Sequence, residues 1–293
     1  MLKTSLVATT AMLLWAICYP LITLSLPYAP IMLTAFLRAA LAGMILIVLA
    51  KLLGRSMPKG LTVWIHIIVI GLTATSIGFW GMFYAGSLIS PGLATVITNT
   101  QPMIAAVFGW YFLDERLSKT SAVGIIAGFI GILIISVETV LVENSQMIVG
   151  ILYILIAATG VAISNVLLKK LSNKADILYT VGFQLLIGAI PLGLLTVNLP
   201  DNYQIPLNLS YLSVLLALAL LGTALPYILW FWLMDKAPLY KLNVFSFLTP
   251  IFGLILGSVY FSESLSLYQW GGVFIIVVAI LWVNKFSKNK TLV

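Results

Sequence analysis

Apolar runs of roughly 20 residues, each enough to cross about 30 Å of hydrocarbon as a helix, recur along this chain with only short polar interruptions. They lie at about 5–25, 30–50, 62–86, 91–112, 120–138, 147–168, 175–197, 209–233, 240–261 and 267–284. So much apolar length has no place in one water-soluble core. In a bilayer every backbone N–H and C=O must be satisfied inside the segment or its neighbours, which selects helices or closed barrels. A barrel needs segments of about ten alternating residues, and stretches such as "GIIAGFIGILIIS" do not alternate. Composition agrees: 62% of the 293 residues are hydrophobic and 8% charged, where a soluble domain carries about 25% charge. The chain is expected to be an all-α integral membrane protein with ten transmembrane helices.

Charge placement predicts orientation, because Lys and Arg beside a span tend to stay cytoplasmic. With the N-terminus inside, every Lys and Arg except Arg38 falls on the cytoplasmic side, and the outer loops keep Glu138, Glu143, Asp201 and Glu263. Both termini are then cytoplasmic, in a cell (cytoplasmic or inner) membrane. The net charge of +7 is dealt out loop by loop, which argues against a nucleic-acid partner. Lys3 precedes an apolar stretch without a clear small-residue cleavage site, so the first run reads as a retained span. Cys18 is the lone cysteine and cannot form an intramolecular disulfide.

The chain repeats itself. A shift of 148 aligns "TQPMIAAVFGWYFLDERLS" with "LTPIFGLILGSVYFSESLS", bringing Pro102 onto Pro250, Gly109 onto Gly257 and Glu115 onto Glu263. A shift of 146 brings Arg38 onto Gln184. Residues 1–145 and 146–293 thus form two halves of five spans each. Because five is odd, the second half enters the membrane in the opposite sense, giving an inverted repeat.

The aromatic-rich third span, the Pro and the Glu-x-Leu-Ser pattern around the fourth, and the Gly-bearing fifth, all repeated once, resemble the EamA family of the drug/metabolite transporter superfamily. That resemblance covers essentially the whole chain. It implies a ten-helix transporter moving small organic solutes through a central cavity, with members that export amino acids and related metabolites.

The stretch "TNTQP", Thr98 to Pro102, places polar side chains and a helix breaker inside an apolar run. Pro102 and Pro250 each lie near the middle of their run and are expected to kink it there, freeing the carbonyls of Thr98 and Ser246. Two readings stand side by side: the side chains mend the kink, or the kink lines an aqueous cavity where the halves meet. Helical spacing puts Thr95, Thr98, Asn99 and Pro102 on one face, with Asn243, Ser246 and Pro250 on the matching face of the other half. Gln101 lies about a third of a turn away and is included as a candidate.

Phe79, Tyr227 and Trp15 are deep enough to be core or pocket, while Tyr19 and Asn165 fall at corresponding places in the first and sixth spans. Trp64, Trp110, Tyr268, Trp270 and Trp282 suit an interfacial belt. Arg38, well inside the second span, needs a partner: either freed backbone carbonyls or a substrate carboxylate.

An intramembrane enzyme would need a nucleophile–base pair, paired acids or metal-ligand spacing. The single His66 lies near one end of a span, and the Asp and Glu residues fall at helix ends or in loops. No enzyme activity, cofactor or metal is expected. The reading is a carrier, exporting or exchanging small organic metabolites, amino acids first and aromatic ones among them, by alternating access. A channel or a lipid or drug translocator of the same fold is the alternative. The expected partners are a small-molecule substrate and the lipid bilayer, and a homo-oligomer is compatible with the pattern. The absence of a central carboxylate points to transport down the substrate's own gradient.

Overall fold

The computed structural model describes residues 2–113, 119–140, 145–171, 174–196, 208–237, 242, 245–262 and 266–286. All regular structure among them is helical: α1 (Leu2–Ala16), α2 (Cys18–Ser25), α3 (Ile31–Leu52), α4 (Leu61–Ile70), α5 (Gly78–Leu88), α6 (Pro91–Thr98), α7 (Gln101–Leu113), α8 (Lys119–Val140), α9 (Ser145–Leu171), α10 (Ile177–Leu194), α11 (Leu209–Ala219), α12 (Leu225–Met234), α13 (Leu248–Phe261) and α14 (Leu267–Phe286). Wider π-helical turns, Gly71–Ile77 and Leu220–Ala224, join α4 to α5 and α11 to α12.

Among the described residues, six helical segments are long and apolar enough to cross a membrane: Lys3–Ser25, Ile31–Leu52, Leu61–Leu88, Ile148–Leu171, Ile177–Leu194 and Leu209–Met234. The other expected runs are helical where described, with a break or a shorter apolar stretch such as Leu248–Phe261. The chain is a multi-pass membrane protein. Large apolar side chains such as Leu6, Val48, Val107 and Ile148 face outward, as a bilayer permits.

Helices of the first half pack on helices of the second: α1 on α12, α3 on α10, α5 on α9, α6 on α13 and α8 on α14. Lipid supplies no hydrophobic drive between helices, so close approach depends on small residues. At Gly43 of α3 a Cβ would lie 2.9 Å from the Gly182 carbonyl of α10. Phe36 meets Gly193 while Ile47 meets Gly182, so these two helices run antiparallel. Gly71, in the first π-helical turn, leaves even less room, its Cβ position lying 2.6 Å from the Gln184 carbonyl.

Both prolines behave differently from the mid-helix kinks that the sequence suggests. The helix α6 stops at Thr98, Asn99 and Thr100 form a turn closed by Thr100 N–H donating to the Ile97 carbonyl at 3.0 Å, and α7 begins at Gln101. Pro102 is therefore in the first turn of a new helix. Pro250 likewise is the third residue of α13, and the Ser246 carbonyl, expected to be freed, accepts the Thr249 N–H at 3.0 Å. The physical reason is that first-turn N–H groups have no intrahelical acceptor anyway, so proline there removes no helical bond.

Candidate functional site

These breaks bring side chains from both halves around a cavity of about 120 Å³, room for several water molecules or a small solute group. The ends of α1 and α2 supply Trp15 and Tyr19, α3 supplies Arg38, and α5 supplies Phe79. Thr95, Thr98, Asn99 and Gln101 enter from the α6–α7 break. Asn165 of α9, Tyr227 of α12 and Ser246 before α13 close it from the second half. Every candidate that falls within the described residues lines this cavity, apart from the two prolines, which set the helix starts. Asn243 lies outside the described residues.

The polar side chains at the break are tied to their own helix. Thr95 Oγ1 donates to the Pro91 carbonyl at 2.7 Å, Thr98 Oγ1 to Ala94 at 2.8 Å and Asn99 Nδ2 to Thr95 at 2.9 Å. Such back-bonding lets a hydroxyl sit in an apolar helix without an unpaired donor and occupies one of the two Asn99 amide N–H groups. It leaves the hydroxyl lone pairs and Asn99 Oδ1 as acceptors, and Tyr19 Oη pairs with Thr98 Oγ1 at 2.7 Å. The same residues thus back-bond within α6 and line the cavity. Gln101 differs: its Nε2 is buried with no acceptor.

An aromatic wall faces this polar edge. Trp15 meets Tyr227 and Trp230 edge to face at centroid distances of 6.0 and 5.3 Å, arrangements that π-quadrupoles favour. Trp230 Nε1 donates to Asn165 Oδ1 at 3.3 Å, which orients both.

Arg38 is 2% exposed. Its Nε donates to Thr223 Oγ1 at 2.7 Å and one terminal nitrogen to the Gly222 carbonyl at 3.0 Å and Cys18 Sγ at 3.3 Å. Gly222 and Thr223 lie in the second π-helical turn, whose shifted hydrogen-bond register leaves backbone carbonyls for outside donors. Thr223 Oγ1 passes the chain on by donating to the Leu218 carbonyl at 2.7 Å. The carbonyl alternative for Arg38 therefore holds on one side of the guanidinium. The other terminal nitrogen faces Met82 Sδ at 3.9 Å, and the Phe79 ring lies 4.3 Å from the guanidinium carbon.

Sequence reasoning did not single out Met12, Met82, Trp230 and Thr249, which also line the cavity with small residues of α9. Thr249 stands 148 residues after Gln101, so the repeat itself could have found it. Trp230 was visible within the aromatic stretch of its span. The methionines and alanines carry no chemical signal that separates a pocket wall from core. Among the described residues no group of His, Cys, Asp and Glu has the composition of a metal site.

A protein of known crystal structure superposes with a TM-score of 0.79 over 98% of both chains at 20% identity, a likeness of fold alone. A WAT1-related chloroplastic protein of Arabidopsis thaliana is 30% identical over 87% of this chain, which spans 63% of that relative's length. A probable amino-acid metabolite efflux pump of Salmonella typhimurium is 26% identical, covering 97% of this chain and 95% of the relative. The model of the EamA-like transporter family matches twice, over residues 2–137 and 148–285, so the helices whose breaks and π-helical turns surround the cavity come from two copies of one unit. The chain belongs to the EamA-like transporter family.

Proposed function

We propose that this transporter exports or exchanges small organic metabolites, with amino acids, including aromatic ones, as the first candidates, by alternating access through the cavity described above. Its halves would be five spans each, inverted relative to one another, in a cytoplasmic (inner) membrane with both termini inside. The observation that carries the reading is the cavity built jointly by both halves, with a cation, amide groups and an aromatic wall in its described lining. Such a lining suits a solute with an apolar side chain and a polar head. The Salmonella relative, named as a probable amino-acid metabolite efflux pump, supports the choice of solute class. The antiparallel contact of α3 with α10 supports the inverted arrangement, since these helices correspond between the halves.

The described acidic residues near membrane-spanning segments stand at helix ends: Asp176 caps α10 through the Leu178 and Tyr179 N–H groups at 3.0 and 3.2 Å, and Asp235 follows α12. With no described carboxylate in the cavity lining, the proposal includes transport down the solute's own gradient. Purified protein in liposomes should show saturable counterflow of a labelled amino acid that persists with protonophore present and sodium absent. Non-saturable flux would replace the carrier by a channel, and accumulation driven by an imposed proton or sodium gradient would replace facilitated transport by coupled transport.

A further inference from the structure

We propose that the cavity-facing edge of Arg38 receives a carboxylate, and that solutes of this transporter must carry one; the inference rests on the carrier reading above. A guanidinium has five N–H donors. Three are directed to Thr223 Oγ1, the Gly222 carbonyl and Cys18 Sγ, which anchors one side of the fork to the π-helical turn. The remaining nitrogen meets a thioether sulfur at 3.9 Å, a weak acceptor at long range. That edge belongs to a side chain lining the cavity.

Charge and donor balance point the same way. The ion pair found among the described residues, Arg55 with Asp176 at 3.9 Å, lies elsewhere, so the Arg38 charge meets neutral groups and the face of Phe79. A ring face compensates a cation only in part, and a cation inside a span is costly to insert without a partner. Gln101 lines the same cavity with a buried Nε2 that has no acceptor. The weakly engaged Arg38 nitrogen calls for an anionic acceptor. A carboxylate brings one negative charge to one positive charge, whereas a phosphate dianion would bring a second charge into a cavity without a cation for it.

The corresponding turn in the first half, Gly71–Ile77, packs against α10 beside neutral Gln184, the residue that the repeat aligns with Arg38. The Gln184 amide makes no hydrogen bond and does not line the cavity, whereas Arg38 bonds its turn and lines the cavity.

The test is counterflow in proteoliposomes with matched triples: alanine, leucine and phenylalanine, the acid each becomes without its amino group, and the amine each becomes without its carboxylate. For every side chain that is transported, the two carboxylate-bearing members should exchange and the amine should not. Arg38→Gln keeps the atom position that faces Thr223 and removes the charge, and should raise half-saturation for the carboxylates roughly 10- to 100-fold, the loss of a charge-assisted bond. Arg38→Lys should restore part of it. Equal exchange of amines and acids by the unmodified protein, or an unchanged half-saturation in a folded Arg38→Gln variant, would overturn the inference while leaving the carrier reading intact. If Arg38→Gln fails to fold, the comparison of acids and amines on the unmodified protein decides. If no member of any triple moves, the metabolite-carrier reading falls and this inference with it.

Discussion

Asn99 shows how a polar residue can be seen in a sequence before its role can be read. Thr95, Thr98 and Asn99 stand out because unpaired polar groups are costly inside an apolar run, so their presence needs a reason. The spacing correctly groups them on one face, and in the fold they line one cavity. It does not reveal that each donates to the carbonyl four residues earlier, because the same local sequence lets such a side chain turn back on its own helix or reach a neighbour. On the proposed carrier reading, the remaining Asn99 Oδ1 is an acceptor for a solute's ammonium or hydroxyl. Asn99→Ala removes that acceptor and a local bond of modest worth, about 0.6 kcal/mol for such contacts in membranes. The expected outcome is a transport rate several-fold lower with a melting temperature close to that of the unmodified protein. A variant that merely unfolds would return Asn99 to a purely local, helix-mending role.

The helix ends and the π-helical turns are where elements, rather than residues, decide the site. Proline in an apolar run was legible as a disruption, but its form was not: a kink and a restarted helix have the same local sequence, and tertiary packing chooses between them. The turns Gly71–Ile77 and Leu220–Ala224 carry no pattern distinct from α-helix, since widening by one residue alters hydrogen-bond register and leaves apolar periodicity nearly untouched. Their neighbours show why small residues are required. A Cβ at Gly188 would run into the Gly71 carbonyl and Thr75, and one at Gly71 into the Gln184 carbonyl at 2.6 Å. Backbone cannot step aside as a flexible side chain can. Gly71→Val should therefore part the turn from α10 and destabilise the protein by about 1–3 kcal/mol or more. Thermal unfolding in detergent checks this, with Gly54→Ala as a comparison: Gly54 has open surroundings but a positive φ of 61°, so its change reports backbone strain without a clash.

At the scale of the whole molecule, the connections between spans carry the charge pattern. Arg55, between α3 and α4, lies 3.9 Å from Asp176, which precedes α10, so two connections assigned to the cytoplasm by their positive charges meet at one end of the bundle. Single cysteines at Lys59 and Lys174 should react with an impermeant maleimide only after the membrane is opened, and labelling in intact cells would reverse the orientation. Sequence alone determined that the chain is helical and membrane-embedded, because the bilayer imposes its thickness on every apolar run. It also determined that one unit occurs twice, because Pro, Gly and Glu at one offset are not interchangeable with other apolar residues. Only the tertiary structure decided that Trp15, Arg38, Asn99 and Tyr227 face a common cavity, that α6 stops where it does, and that one side of Arg38 is consumed by a backbone turn nearly two hundred residues away. These depend on which helices touch, and in a chain where most faces are apolar, periodicity cannot distinguish a face turned to lipid from one turned to a neighbouring helix.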